Sequence, residues 1–255
     1  MTPQPLITAV VLDLFDTLVR WDPERLPLFA WQGREMRSTV PWFIDHLEKA
    51  LLNRFDRETA VAAYFEVLKE VNDERERDAI EISCLDRFVR MLVRLGLGDD
   101  REVRELAEEL RRLHMSGVRE VTWAPSQWVE AVRQIAPHYR LGLLSNFDDS
   151  ETGHQIVQDT GIAGLFDAII ISADVGLRKP HPEIFRQIAA MLEAAPAEIL
   201  FVGDTPRYDV LGAHQAGMRT VWLNDRKDPL TPDIPRPEYI IKDLSELPAL
   251  LEGLR

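Results

Sequence analysis

At 255 residues, with 45% hydrophobic and 29% charged side chains and 16 prolines against 13 glycines, the chain has the composition of a globular protein. That length buries a sizeable core, in one large domain or in a core plus a smaller one. The 43 acidic against 30 basic residues give a formal net charge of -13. No stripe of Lys and Arg offsets it, which argues against a nucleic-acid or anionic-membrane surface and favours a small-molecule partner.

The N-terminal stretch has no positive side chain before its apolar run, and that run meets Asp13 within a few residues. It therefore reads neither as a signal peptide nor as a membrane span, and the expected location is cytoplasmic. The run itself, Ile7 to Leu12, reads as a strand buried on both faces, being rich in Ile, Val and Leu without polar alternation.

A long segment without strand signals follows. Val40, Phe43, Leu47, Ala50 and Leu51 share one helix face, as do Val61, Tyr64, Phe65, Leu68 and Val71. A third helix carries Ile82, Leu85, Phe88, Val89 and Leu92 and stops at Gly96 and Gly98. Asp99 or Asp100 caps a fourth, with Val103, Leu106, Leu110 and Leu113 on its apolar face. Residues 20–118 thus form an expected all-helical insertion, and residues 1–19 with 119–255 the sheet domain. The only cysteine, Cys84, lies in this helical pattern and reads as a packing residue. A lone cysteine also excludes an intrachain disulfide and any multi-cysteine metal site.

From Tyr139 onward, apolar runs alternate with helical stretches: Tyr139 to Leu144, Ala168 to Ser172, Ile199 to Gly203, Arg219 to Leu223 and Tyr239 to Ile241. Strands alternating with helices imply right-handed crossovers and an α/β, three-layer, Rossmann-like parallel sheet. The Pro-rich DPLTPDIPRPE before the last strand reads as a loop without assigned function.

Ligands of a parallel sheet bind beyond the carboxyl ends of its strands. Asp13, Ser145 with Asn146, and Asp204 directly follow three of the runs; Asp209 opens the next helix, and Lys179 lies in the loop after the Ala168 strand. Taken singly these are caps, turn residues and a surface cation. Together they bring acids, a hydroxyl and a lysine to one edge. Three acids in a part-buried cleft repel one another, and a hard cation with oxygen ligands is the usual relief. Magnesium suits this set, leaving room for a phosphoryl group between the ion and Lys179.

The stretches VVLDLFDTLV, LGLLSNFDD, GLRKPHPEIF and ILFVGDTPRYD resemble, in order and spacing, the four successive motifs of the haloacid dehalogenase superfamily. An insertion after the first motif is where that superfamily often has a cap, so the resemblance spans nearly the whole chain. It implies a hydrolase with Asp13 as nucleophile and a magnesium ion held by Asp13, the backbone carbonyl of Phe15 and, directly or through water, Asp204 and Asp209. It also implies that Lys179 orients Asp13, that Thr17 supports the following turn, and that Thr17, Ser145 and Asn146 make up the substrate-binding set. The expected activity is that of a phosphatase on a small phosphorylated metabolite.

One departure bears on the chemistry. Phosphatases of the superfamily usually carry a second aspartate two residues after the nucleophile as general acid, where this chain has Phe15. Such catalysis is worth about 10²–10⁴ in rate, so leaving groups that need no proton, such as acyl phosphates, are favoured. Asp16 and, near the start of the insertion, Arg20, Trp21 and Arg34 are alternative donors. Halide displacement by a metal-free dehalogenase needs no proton either, although Gly203 and Asp204 stand where those enzymes tend to have serine and asparagine. A binding protein of weak activity is the third alternative. The six histidines show no metal-ligand spacing, and Trp21, Trp31 and Trp42 read as core.

Overall fold

The computed structural model describes residues 6–52 and 54–254. Contacts divide the chain into two compact units, one made of Met1–Arg20 with Trp123–Arg255 and the other of Trp21–Thr122.

The first strand, β1 (Ala9–Leu12), is buried along its whole length, as its unbroken AVVL predicts. The chain leaves the first unit through β2 (Arg20–Trp21) and builds a hairpin of β3 (Leu28–Trp31) and β4 (Arg34–Arg37). Four helices follow: α1 (Val40–Ala50), α2 (Arg57–Asp78), α3 (Cys84–Arg94) and α4 (Arg101–Glu120). Asp56, Ser83 and Asp100 cap the last three by accepting hydrogen bonds from backbone N–H groups in the first turn.

The hairpin corrects the expectation of an all-helical insertion. Its tip is Gln32-Gly33, both left-handed at φ 48° and 75°, the backbone that lets a two-residue turn follow the twist of its strands. Its strands carry no sequence signal because they are half-exposed and β4 reads REMR, without an apolar alternation. Phe29 and Trp31 stack on Phe65 of α2 at 6.3 and 5.9 Å between centroids. Beneath them Phe43, Tyr64 and Phe88 form the unit's aromatic core. Helices α1 and α4 approach so closely that a Cβ on Gly117 would lie 2.3 Å from the Trp42 ring. Because α4 continues to Glu120, the return crossing falls between Thr122 and Trp123 and not at 118.

The chain re-enters the first unit through β5 (Thr122–Trp123) and α5 (Ser126–Ile135). It then alternates through β6 (Arg140–Ser145), α6 (Ser150–Asp159), β7 (Ala168–Ile171), α7 (Ser172–Val175) and α8 (Pro182–Met191). It ends with β8 (Ile199–Gly203), α9 (Val210–Gln215), β9 (Arg219–Leu223), β10 (Tyr239–Ile241) and α10 (Leu247–Glu252). The six core strands are all parallel in the order β10-β9-β8-β1-β6-β7, with helices on both sides. Ile184, Phe185 and Ile188 of α8 pack with Val11, Leu144 and Phe201 in one hydrophobic cluster of the core. Burying each such side chain contributes about 1.5–3 kcal/mol.

From β1 the chain proceeds outward to β6 and β7, then returns past β1 to start β8, so the order reverses beside β1. A crevice opens at such a switch point beyond the strand ends. Leu12 is in register with Leu143 and Val202, which brings Asp13, Ser145 and Asp204 out at the same edge. Among the described residues, no helix is long and apolar enough to cross a membrane.

Candidate active site

The turn after β1 is a compact device. The Asp13 N–H donates to Val202 O, prolonging the ladder by one residue. The carbonyl of Leu14 then accepts from the N–H groups of Thr17, Leu18 and Val19, while the Asp16 N–H donates to Val19 O. This winding requires Asp16 at φ 56°, a left-handed backbone that aspartate tolerates better than most residues.

Beyond the strand ends lies a cavity of about 270 Å³ lined by Asp13, Phe15, Asp16, Ser145, Asn146 and Lys179, and further by Asp204, Asp209 and four residues not singled out from the sequence. Its floor is Lys179, 2% exposed, whose Nζ donates to Asp13 Oδ1 at 2.7 Å and Asp209 Oδ1 at 2.6 Å. The other Asp209 oxygen accepts from the Thr205 N–H at 2.8 Å. Gly203 makes this possible: a Cβ there would lie 2.3 Å from the Asp209 carboxyl. Asp204 accepts from the Thr205 hydroxyl at 3.0 Å, and its backbone carbonyl accepts from Trp222 Nε1 at 2.9 Å.

Carboxylate oxygens of Asp13, Asp204 and Asp209 lie within 4.8 Å of one another. Burial, opposed by the Lys179 ammonium and reinforced by Asp209, pushes the Asp13 carboxyl up to about 6. Burial together with the charges of Asp13 and Asp209 pushes Asp204 up to about 7. Against the cost of burial, Asp13 and Asp209 hold the Lys179 ammonium above its ordinary value. One ammonium among three carboxylates leaves negative charge to neutralise, and the donor set is all oxygen, as a hard divalent cation requires.

The Ser145 hydroxyl oxygen is buried at the cavity and makes no hydrogen bond among the described residues. A buried polar atom of this kind is a waiting partner for a ligand oxygen. Phe15 lines the cavity with its ring packed on Phe147, 5.0 Å between centroids. Asp16 is turned into ion pairs with Arg226 and Arg20.

Two of the expected residues sit differently from the others. Asn146, expected at the substrate, lines the cavity while its amide donates to Lys179 O at 2.9 Å and accepts from Lys179 N–H at 2.7 Å. Both ends of that side chain are spent on holding the lysine's backbone. Thr17 is wholly buried beneath the turn and does not line the cavity. The residues missed are Arg178, Thr205, Tyr208 and Arg226. Arg226 lies three residues beyond β9, at a strand end like Asp13, Ser145 and Asp204.

A six-stranded parallel sheet with a buried lysine and clustered carboxylates at its switch point defines an α/β enzyme core. A family model described as haloacid dehalogenase-like hydrolase matches residues 7–217, and the chain belongs to that family of hydrolases. N-acylneuraminate-9-phosphatase of Mus musculus is 35% identical over 123 residues, 48% of this chain and 49% of that protein. Phosphoserine phosphatase of Thermus thermophilus is 39% identical over 107 residues, 42% of each. The chain thus spans about half the length of the curated relatives it matches. A solved 2-haloacid dehalogenase from Pseudomonas syringae superposes with TM-score 0.73 at 24% identity, covering 98% of this chain and 100% of that one. A HAD phosphatase from Thermococcus onnurineus does so with TM-score 0.63 at 23% identity, covering 97% and 99%. At these identities the structural likeness shows the fold alone.

Proposed function

We propose that the protein is a magnesium-dependent phosphohydrolase acting on a small phosphorylated metabolite, with Asp13 as nucleophile. The observation that carries this is the cluster of Asp13, Asp204 and Asp209 around one buried lysine, with Asp13 and Asp204 pushed up to about 6 and about 7. Asp13 and Asp204 would hold the ion, with the backbone carbonyl of Phe15. Asp209, whose two oxygens are engaged by Lys179 and the Thr205 N–H, would act beyond the direct ligands. When bound, the ion supplies positive charge that offsets the carboxylates and the phosphoryl oxygens.

An Asp13 carboxylate oxygen attacks phosphorus, the bond from phosphorus to the leaving oxygen breaks, and an aspartyl phosphate remains on Asp13. Water then cleaves that acyl phosphate, releasing inorganic phosphate and restoring the carboxylate. Lys179 orients Asp13 through its bond to Oδ1, and Ser145 donates its hydroxyl to a phosphoryl oxygen. Phe15 supplies no proton, so the leaving group departs as an anion, which favours acyl phosphates and other leaving groups of low basicity. The unit Trp21–Thr122 would serve as the cap that selects the substrate. The phosphatase relatives support phosphate as the group transferred.

The test is turnover of acetyl phosphate, p-nitrophenyl phosphate and 2-chloropropionate, with and without magnesium, by the natural protein and Asp13→Asn. Magnesium-dependent phosphate release that vanishes in the variant is expected. Phe15 is compatible with halide displacement, so chelator-insensitive halide release would sink the proposal in favour of a dehalogenase. No turnover at all would favour a binding role.

A further inference from the structure

The stretch after β9 contributes a second cation to the cavity on a rigid support. Asn224 donates its amide to Asp228 O at 3.0 Å and accepts from the Asp228 N–H at 2.9 Å, closing residues 224–228 into a small loop. Leu230 and Ile234 anchor the following chain against Val210, Leu211 and Trp222. At the tip, Asp225 pairs with Arg20 at the start of β2 and Arg226 with Asp16 in the turn after β1. Arg226 Nη2 also stands 4.0 Å from Asp204 Oδ2.

These pairs fix the guanidinium plane while using one of its nitrogens. Its other donors keep the planar fork that suits two oxygens of a carboxylate or phosphate. Depth separates it from the transferred phosphoryl group: Asp13, Ser145 and Lys179 are buried on the floor, whereas the Arg226 side chain is 54% exposed at the rim.

We propose that Arg226 is a specificity-determining residue that binds a second anionic group, a carboxylate or phosphate, carried by the leaving part of the substrate. This deepens the phosphohydrolase reading by naming a dianionic substrate class. The guanidinium held by Asp16 at the rim meets the far end of a molecule whose phosphoryl group lies against Asp13.

The test uses calorimetric binding of phenylphosphonate and 4-carboxyphenylphosphonate to the whole chain in magnesium buffer, alongside turnover of acetyl phosphate. The natural protein should prefer the carboxylated ligand about tenfold. Arg226→Met should abolish that preference, and Arg226→Lys, which keeps the charge without the fork, should retain part of it. Equal binding of both ligands by the natural protein, or a preference that survives Arg226→Met, would overturn the proposal. So would equal weakening of both ligands in Arg226→Met, which would make the residue a support for Asp16 only. Failure to release phosphate from acetyl phosphate with the preference intact would sink the phosphohydrolase reading and leave the role of Arg226 standing.

Discussion

Replacing Lys179 by methionine tests the electrostatic logic of the floor, because a single Nζ bridges Asp13 and Asp209 at 2.7 and 2.6 Å. With carboxylate oxygens within 4.8 Å, each pair of charges repels by about 3 kcal/mol at an effective dielectric constant of about 20. Breaking a buried pair from one side costs about 3–5 kcal/mol, so Lys179→Met should lower stability by that amount at pH 8. Asp13 already stands at about 6 with the ammonium beside it, and losing the ammonium drives it higher. A carboxyl raised in the folded state binds its proton more tightly there than in the unfolded chain, so its repulsion is absent at low pH and grows as pH rises through the folded value. The gap between variant and natural protein should therefore be small at pH 5 and open towards pH 8. Urea midpoints in chelator-containing buffer read this directly. Adding Asp209→Asn should recover part of the loss. A gap equal at both pH values, or a double variant no more stable than the single one, would refute the reasoning.

The cluster's charge gives a second prediction: magnesium should raise Tm at pH 8 and much less at pH 5, where protons already occupy Asp13 and Asp204, with values of about 6 and about 7. An unchanged Tm at pH 8 would argue against a cation. Gly203→Ala places a Cβ 2.3 Å from an Asp209 carboxyl pinned from both sides, so it should cost about 1–3 kcal/mol and most phosphate release. Gly164→Ala, where a Cβ meets nothing within 4 Å, is the control and should be neutral. Asn146→Ala frees the Lys179 backbone and should lower kcat with little change in KM, as steady-state kinetics would register.

Most of the sheet was legible because each core strand is a short apolar run bounded by polar residues. The adjustments are small: β6 drops Tyr139 and gains Ser145, while Ser172 begins α7. The β3–β4 hairpin was not legible, since its stability comes from Phe29 and Trp31 against Phe65 and not from any alternation along the strands. Within the site, the strand-end rule brought out Asp13, Ser145, Asp204 and their neighbours, because one-dimensional position fixes which edge a residue reaches. It does not fix what a side chain grips there. Asn146 reaches the cavity wall, yet the Lys179 backbone, distant in sequence, claims its amide. Arg226 escaped because NDRKDP looks like any solvated charged loop until Asp16 is seen beside it.

Phe15 poses the remaining question of how a leaving group departs, and the structure sharpens it. The Phe15 ring lines the cavity against Phe147, while the adjacent carboxylate, Asp16, is turned into guanidinium pairs by its left-handed backbone. If Asp13 is the nucleophile as proposed, the Phe15 ring beside it has no proton to give and Asp16 is engaged by guanidinium groups, so rates should fall steeply as the leaving group becomes more basic. Phe15→Asp introduces a carboxyl at that spot and gives up an aromatic pair worth about 0.5–1.5 kcal/mol. General acid catalysis is worth about 10²–10⁴, so kcat/KM for ethyl phosphate relative to acetyl phosphate should rise by up to that factor. Acetyl phosphate, whose leaving group needs no proton, acts as the internal reference for damage to the site. A natural enzyme that already hydrolyses ethyl phosphate and acetyl phosphate at similar rates would show that a proton donor exists elsewhere. A variant whose ratio does not move would show that the position of Phe15 does not face the departing oxygen.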